Sequence, residues 1–150
     1  MLDIDEMGSK EIHELLQRIE YGHLGCASEG HPYVVPMHYY FENPNLYIFT
    51  TEGMKTKYID ANPEVCLQVE EIHNLSHWRS VIIMGRAERL TEPQEFDHAM
   101  QLIKAHNPKL SPALNRTWID VWGRANVIVI YRISPSEMTG RTTEGVSSQP

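Results

Sequence analysis

Apolar residues recur along this chain at two different spacings. Ile12, Leu15, Leu16 and Ile19 fall three or four positions apart, which predicts one buried stripe of a helix with Ser9 as its cap. Strand patterns follow at 22–28, 33–41 and 46–51, broken at Glu29-Gly30 and at Asn43-Pro44-Asn45. A short helix is predicted over 55–61, stopped by Asn62-Pro63. Strands at 65–72 and 79–90 flank a histidine-rich loop, and Gly85 marks a bulge or a close backbone approach. Thr91 and Gln94 have the spacing of a capping box, ahead of a second helical stripe of Phe96, Ala99, Met100 and Ile103. Residues 107–115, with two prolines, read as a loop, 117–124 as a helical turn and 126–133 as a last strand. Six short strands joined mostly by tight turns, with two long helices, predict a mainly β fold. The architecture is an antiparallel barrel or sheet with attached helices, not alternating βαβ units.

Pro36 stands inside a strand pattern. Proline cannot donate to a ladder, so it implies an edge, a bulge, or a place where a ligand replaces the next strand. A second irregularity is the connector TTEGMKTKYIDANPEVC, residues 50–66. Thr50, Thr51 and Thr56 offer hydroxyls there, Gly53 permits an unusual turn, and Lys55 and Lys57 add charge at a helix start. The pattern suits an anion such as a phosphate, and equally a solvated connector.

Composition narrows the setting. With 150 residues, 41% hydrophobic and 22% charged, the chain suits one globular domain. Twenty acids against thirteen bases leave a net charge of −7, which argues against nucleic-acid binding. A phosphate would need a local basic cluster working against that field. Cys26 and Cys66 form no CxxC pair, and the acidic N-terminus has no apolar run, so a cytoplasmic setting is expected. His73 and His77 have a spacing that could bind metal, but no third ligand completes a recognisable set, so no metal is expected. His38 is a weak candidate for proton delivery. Trp78, Arg79 and Ser80 could meet a flat charged ligand or a second subunit. No Ser-His-Asp or Cys-His pattern is legible, so enzymatic chemistry would come from a cofactor.

The segments GHLGCASEGHPYVVPMHY, LYIFTTEGMKTKYIDANPEVCLQV and HWRSVIIMGRAERLTEPQEF resemble the pyridoxamine 5′-phosphate oxidase-like superfamily of FMN-binding split barrels. The nearest flavour is the nitroimidazole-resistance, flavin reductase-like branch. The resemblance, from about Gly22 to Gly140, implies a six-stranded antiparallel split β-barrel with two or three flanking helices, set in a domain of residues 1–140; the small, polar tail at 141–150 is expected to be mobile. It implies FMN as cofactor and a homodimer with the cofactor at the interface. NAD(P)H would reduce the flavin and a nitro-aromatic or quinone would accept the electrons. A non-catalytic flavin protein, or a split barrel holding F420 or haem, is the alternative. Position by position, Lys55, supported by Lys57, falls at the flavin phosphate, with Phe49, Thr50 and Thr51 at the adjoining strand end. Val34, Val35 and Pro36 lie beside the isoalloxazine ring, and Trp78, Arg79 and Ser80 reach it from the partner. Arg132-Ile133-Ser134-Pro135 resembles a motif near the end of the oxidases. The phosphate motif Ser-Arg-Lys is here Gly53-Met54-Lys55, and the terminal Arg-Leu-His is absent, which argues against pyridoxamine phosphate as substrate.

Overall fold

The computed structural model describes residues 3–106, 117–119 and 125–143. The elements run β1 (Asp5–Glu6), α1 (Ser9–Arg18), β2 (Tyr21–Ser28), β3 (His31–Glu42), β4 (Asn45–Thr51) and α2 (Met54–Ala61). They continue as β5 (Glu64–Asn74), β6 (His77–Arg89), α3 (Pro93–His106), β7 (Thr117–Ile119) and β8 (Ala125–Thr142). The strands pair antiparallel in the order β1-β8-β4-β3-β2-β5-β6, and β6 also pairs with β8. That last pairing closes six strands into a ring, the predicted barrel, with β1 and β7 as short additions on β8.

Alternation decides which residues fill the ring. Leu24, Leu67, Val69, Val81, Ile83, Leu46, Ile48 and Tyr131 point inward and are buried. The α1 stripe of Ile12, Leu15 and Leu16 joins this core, as does Ile59 of α2. A second apolar layer lies outside the barrel, where Phe96, Ala99, Met100 and Ile103 of α3 cover Tyr47, Ile128 and Ile130.

Several local expectations are corrected. Gly8, not Ser9, is the cap residue of α1. At α3 the Glu92 carboxylate accepts from the N–H groups of Gln94 and Glu95 at 3.1 and 2.9 Å, with Pro93 at the first helical position; Thr91 takes no part. The histidine-rich loop is mostly strand, because β5 runs to Asn74 and β6 begins at His77. Residues 117–119 of the expected helical turn form β7, paired with Ala125–Val127. The loop at 107–115 and the rest of that turn lie outside the described residues.

The last strand does not stop at Ile133. It runs to Thr142, first against β4 and then along β6. Arg141 and Thr142, expected in the tail, are therefore strand residues, and Thr142 is fully buried. The rest of the tail, 144–150, is outside the described residues. Tyr131–Ile133 pair with both neighbours, and just beyond them the β6 register shifts between Met84 and Gly85, where Pro135 stands opposite Gly85. A Cβ on Gly85 would lie 2.7 Å from the Ser134 carbonyl oxygen, so glycine is required there.

Candidate functional site

The barrel is split between β3 and β4. These strands pair only through Tyr39–Glu42 and Asn45–Ile48. His31–His38 pairs with β2 alone, and Phe49–Thr51 pairs with β8 alone. Among the described residues no strand occupies the space between these two stretches. The chain leaves β4 at Thr51 and enters α2, which leans on the β2–β3 side. Asn62 donates from Nδ2 to the Ala27 carbonyl at 2.9 Å, and the rings of Tyr58 and Tyr33 lie 5.6 Å apart.

Pro36 lies on the open lip. The Tyr39 N–H donates to the Glu20 carbonyl at 3.1 Å, and the β2–β3 register runs unbroken from there. Antiparallel pairing alternates, so the backbone groups of Tyr39, Met37, Val35 and Tyr33 face β2. Those of His38, Pro36 and Val34 face the split. The missing N–H of Pro36 therefore costs no ladder bond. Side chains divide the same way. Val35 packs against the core, while Val34, Pro36 and His38 are exposed on the outer face.

The opposite lip carries Phe49, Thr50 and Thr51, all half-buried. Phe49 packs with the α3 layer, and the Thr50 hydroxyl donates to the Thr51 carbonyl at 3.4 Å. The first helical bond of α2 runs from the Lys57 N–H to the Gly53 carbonyl, 3.2 Å. The N–H groups of Met54, Lys55 and Thr56 precede it and have no partner within the helix. The Thr56 hydroxyl is not a ligand donor as expected. It is buried, accepts from the Gly53 N–H at 2.9 Å, and faces the Gly53 carbonyl and Glu52 Oε2 at 2.8 and 3.1 Å. Nor does Gly53 make an unusual turn. Its φ is 178°, and an added Cβ would come no nearer than 4.0 Å to Thr51 O. The fold itself does not demand glycine there, and the space beside it is open.

Electrostatics favour an anion at this helix start. Lys55 is half-buried and Lys57 exposed, and among the described residues neither meets a carboxylate. The nearby acids are engaged elsewhere. Arg89 forms ion pairs with Glu52 and with Asp60, the latter at 2.9 Å. Asp60 also accepts from the Tyr131 hydroxyl at 2.8 Å. Burial, then that hydrogen bond, holds the Tyr131 phenol well above its ordinary range. Arg89, Glu52 and Asp60 escaped the sequence reading because no spacing links positions so far apart.

Trp78, Arg79 and Ser80 border one cleft of about 280 Å³, together with Glu70 and Ile72. Trp78 and Ser80 face outward with Ile82 and Met84. Arg79, between them on the strand, also lies 3.5 Å from Glu71. Glu71 is also gripped by Arg18, at 3.1 and 2.8 Å. His73 and His77 are held by Glu71 and Asn74, at 3.8 and 3.0 Å.

Residues 8–142 match the pyridoxamine 5′-phosphate oxidase family. The chain belongs to that family. Relatives of this pyridoxamine 5′-phosphate oxidase-family chain fall in several bacteria. An uncharacterised protein of Rhizobium meliloti is 27% identical over 90% of this chain and 92% of its own. A Mesorhizobium loti protein described as FAD-binding is 29% identical, with a TM-score of 0.74 over 95% of this chain and 98% of its own. A Bacteroides thetaiotaomicron structure, described in terms of 5-nitroimidazole antibiotic resistance, shares the fold. Its TM-score is 0.69 at 21% identity, over 93% of this chain and 89% of its own. No helix among the described residues is long and apolar enough to cross a membrane.

Proposed function

We propose that the chain binds flavin mononucleotide in the split between β3 and β4 and serves as an NAD(P)H-dependent reductase of small acceptors such as nitro-aromatics or quinones. The observation that carries this is the cationic start of α2. Lys55 sits half-buried in the first turn of α2, whose leading N–H groups have no partner within the helix, while Arg89 occupies both neighbouring carboxylates. A phosphate monoester with close to two negative charges at neutral pH fits that place. Lys55 and the helix start hold the phosphate, Lys57 adds charge, and Thr50 and Thr51 line the approach. The backbone of Val34 and the Pro36 ring form the lip beside the flat part of the ligand. Bound flavin would supply two-electron chemistry, taking hydride from reduced nicotinamide and passing electrons to the acceptor.

The reading includes a homodimer. Val34 and Ile72 are 67% and 59% exposed, and Tyr21, Ile82 and Met84 are exposed beside them on the outer face of β3-β2-β5-β6. An apolar face of this kind suits a second copy, which would bring its Trp78 and Ser80 towards the flavin.

A second reading, FAD in place of FMN, is favoured by the description of the Mesorhizobium loti relative as FAD-binding. The visible spectrum and mass of the small molecule that co-purifies decide. A yellow protein with a band near ~450 nm and the mass of FMN is expected. The mass of FAD selects the second reading. A colourless protein that takes up neither flavin overturns both.

A further inference from the structure

One polar group on the outer face lies one strand in from the split, next to Pro36. His23 is the register partner of Pro36 across β2 and β3. The pair occupies a non-hydrogen-bonded position, where facing side chains come closest. On its other side His23 meets Gln68 of β5, Nδ1 to Oε1, at 3.3 Å. The Gln68 Nε2 lies 3.0 Å from Glu70 Oε2 and 3.1 Å from Ser80 Oγ.

These contacts fix a proton. An ionised carboxylate only accepts, so the nitrogen of the Gln68 amide must face Glu70. Its oxygen then faces His23 and needs a donor, so Nδ1 of His23 carries the hydrogen. In that tautomer Nε2 is the ring nitrogen left as an acceptor. His23 is half-buried and lines a cleft of about 250 Å³ with Ile19, Tyr21, Glu70 and Ile72. The groups around it are the Tyr21 ring at 5.8 Å on β2, Glu70 on β5, Ser80 on β6 and, beyond Tyr21, His38 on β3. The Pro36 ring offers no hydrogen bond of its own.

We propose that His23, keyed by Gln68 into one tautomer, is the side chain that makes a hydrogen bond to the ligand at the Pro36 lip. This rests on the flavin reading. It adds a specificity-determining imidazole that acts through Nε2, with Gln68 as its positioning residue.

The test uses the full chain with nitrogen-15-labelled histidine and FMN as the probe. Ring-nitrogen spectra of the wild type should show His23 as the Nδ1–H tautomer. In Gln68→Leu that signal should move to the Nε2–H form. Adding FMN should shift the Nε2 resonance of His23 but not that of His98, which rests on Glu42 of β3 at 3.4 Å. His23→Leu should raise the Kd for FMN roughly three- to ten-fold, the effect of one hydrogen bond. If FMN binds but the His23 resonances stay in place, the assignment fails and the flavin reading stands. If the wild type binds no flavin, the reading beneath it has failed.

Discussion

Pro36 faces His23 across the β2–β3 pair, and its nitrogen turns to the side of β3 where no described strand follows. A residue that would break an inner ladder thus sits where the ladder has already ended. From the far lip the chain enters α2, which packs on the β2–β3 side through Tyr58 and Asn62. In the proposed flavin site, the proline, the split and the cationic helix start act together.

Arg89 tests the electrostatic part of that account without touching the ligand. It neutralises Glu52 and Asp60 beside α2. Arg89→Met should release both carboxylates and lower FMN affinity several-fold. Titrations at low and high salt check this, because the loss should shrink as the freed charges are screened.

Met84 tests the outer face. It is exposed beside Ile82 and opposite Cys66. Met84→Glu should convert a dimer to a monomer in light scattering and lower flavin occupancy with it. A variant that stays dimeric and fully loaded would remove this face from the interface.

Gly85 tests the closure of the barrel. An alanine methyl would meet the Ser134 carbonyl at 2.7 Å and the Ile133 side chain at 3.0 Å. Backbone on one side cannot yield cheaply. Gly85→Ala should cost about 1–3 kcal/mol in urea denaturation.

Much of this was legible along the chain. The α1 and α3 stripes carry their period openly, and the hairpin at Glu29-Gly30 has positive φ at both residues, 51° and 80°, as its turn residues suggest. The run of β8 through Ser134-Pro135 to Thr142 was hidden, because a proline and a glycine reads as an end. Only the partner explains it, since Pro135 lies opposite Gly85 at the bulge. The caps at Gly8 and Glu92 were hidden because Ser9 and Thr91, one residue away, are better capping types. His23 and Gln68 carried a faint signal. Each is a polar residue alternating with buried Leu24 or Leu67, which marks the solvent face.

Glu71 gives a pH prediction. Hydrogen bonding from Arg18 holds its carboxyl below the ordinary glutamate range; burial opposes this, and the charges of Arg18, His73 and Arg79 assist. A group depressed in the folded state adds stability above its unfolded pKa of about 4.3 and loses it as pH falls through the folded value. Wild-type stability should therefore fall on acidification below that point. Glu71→Gln should flatten the fall, with the difference read from urea midpoints between neutral and strongly acid buffer. Arg18 is half exposed, so the effect is modest.

The most direct measurement is a paired titration of FMN and riboflavin against the wild type and Lys55→Ala. The two ligands differ only in the phosphate. Removing Lys55 should weaken FMN by about 1.5–3 kcal/mol, the range of a charged hydrogen bond, and leave riboflavin nearly unchanged. Equal affinity of the variant and wild type for FMN, or an equal loss for both ligands, would contradict a phosphate site at the start of α2.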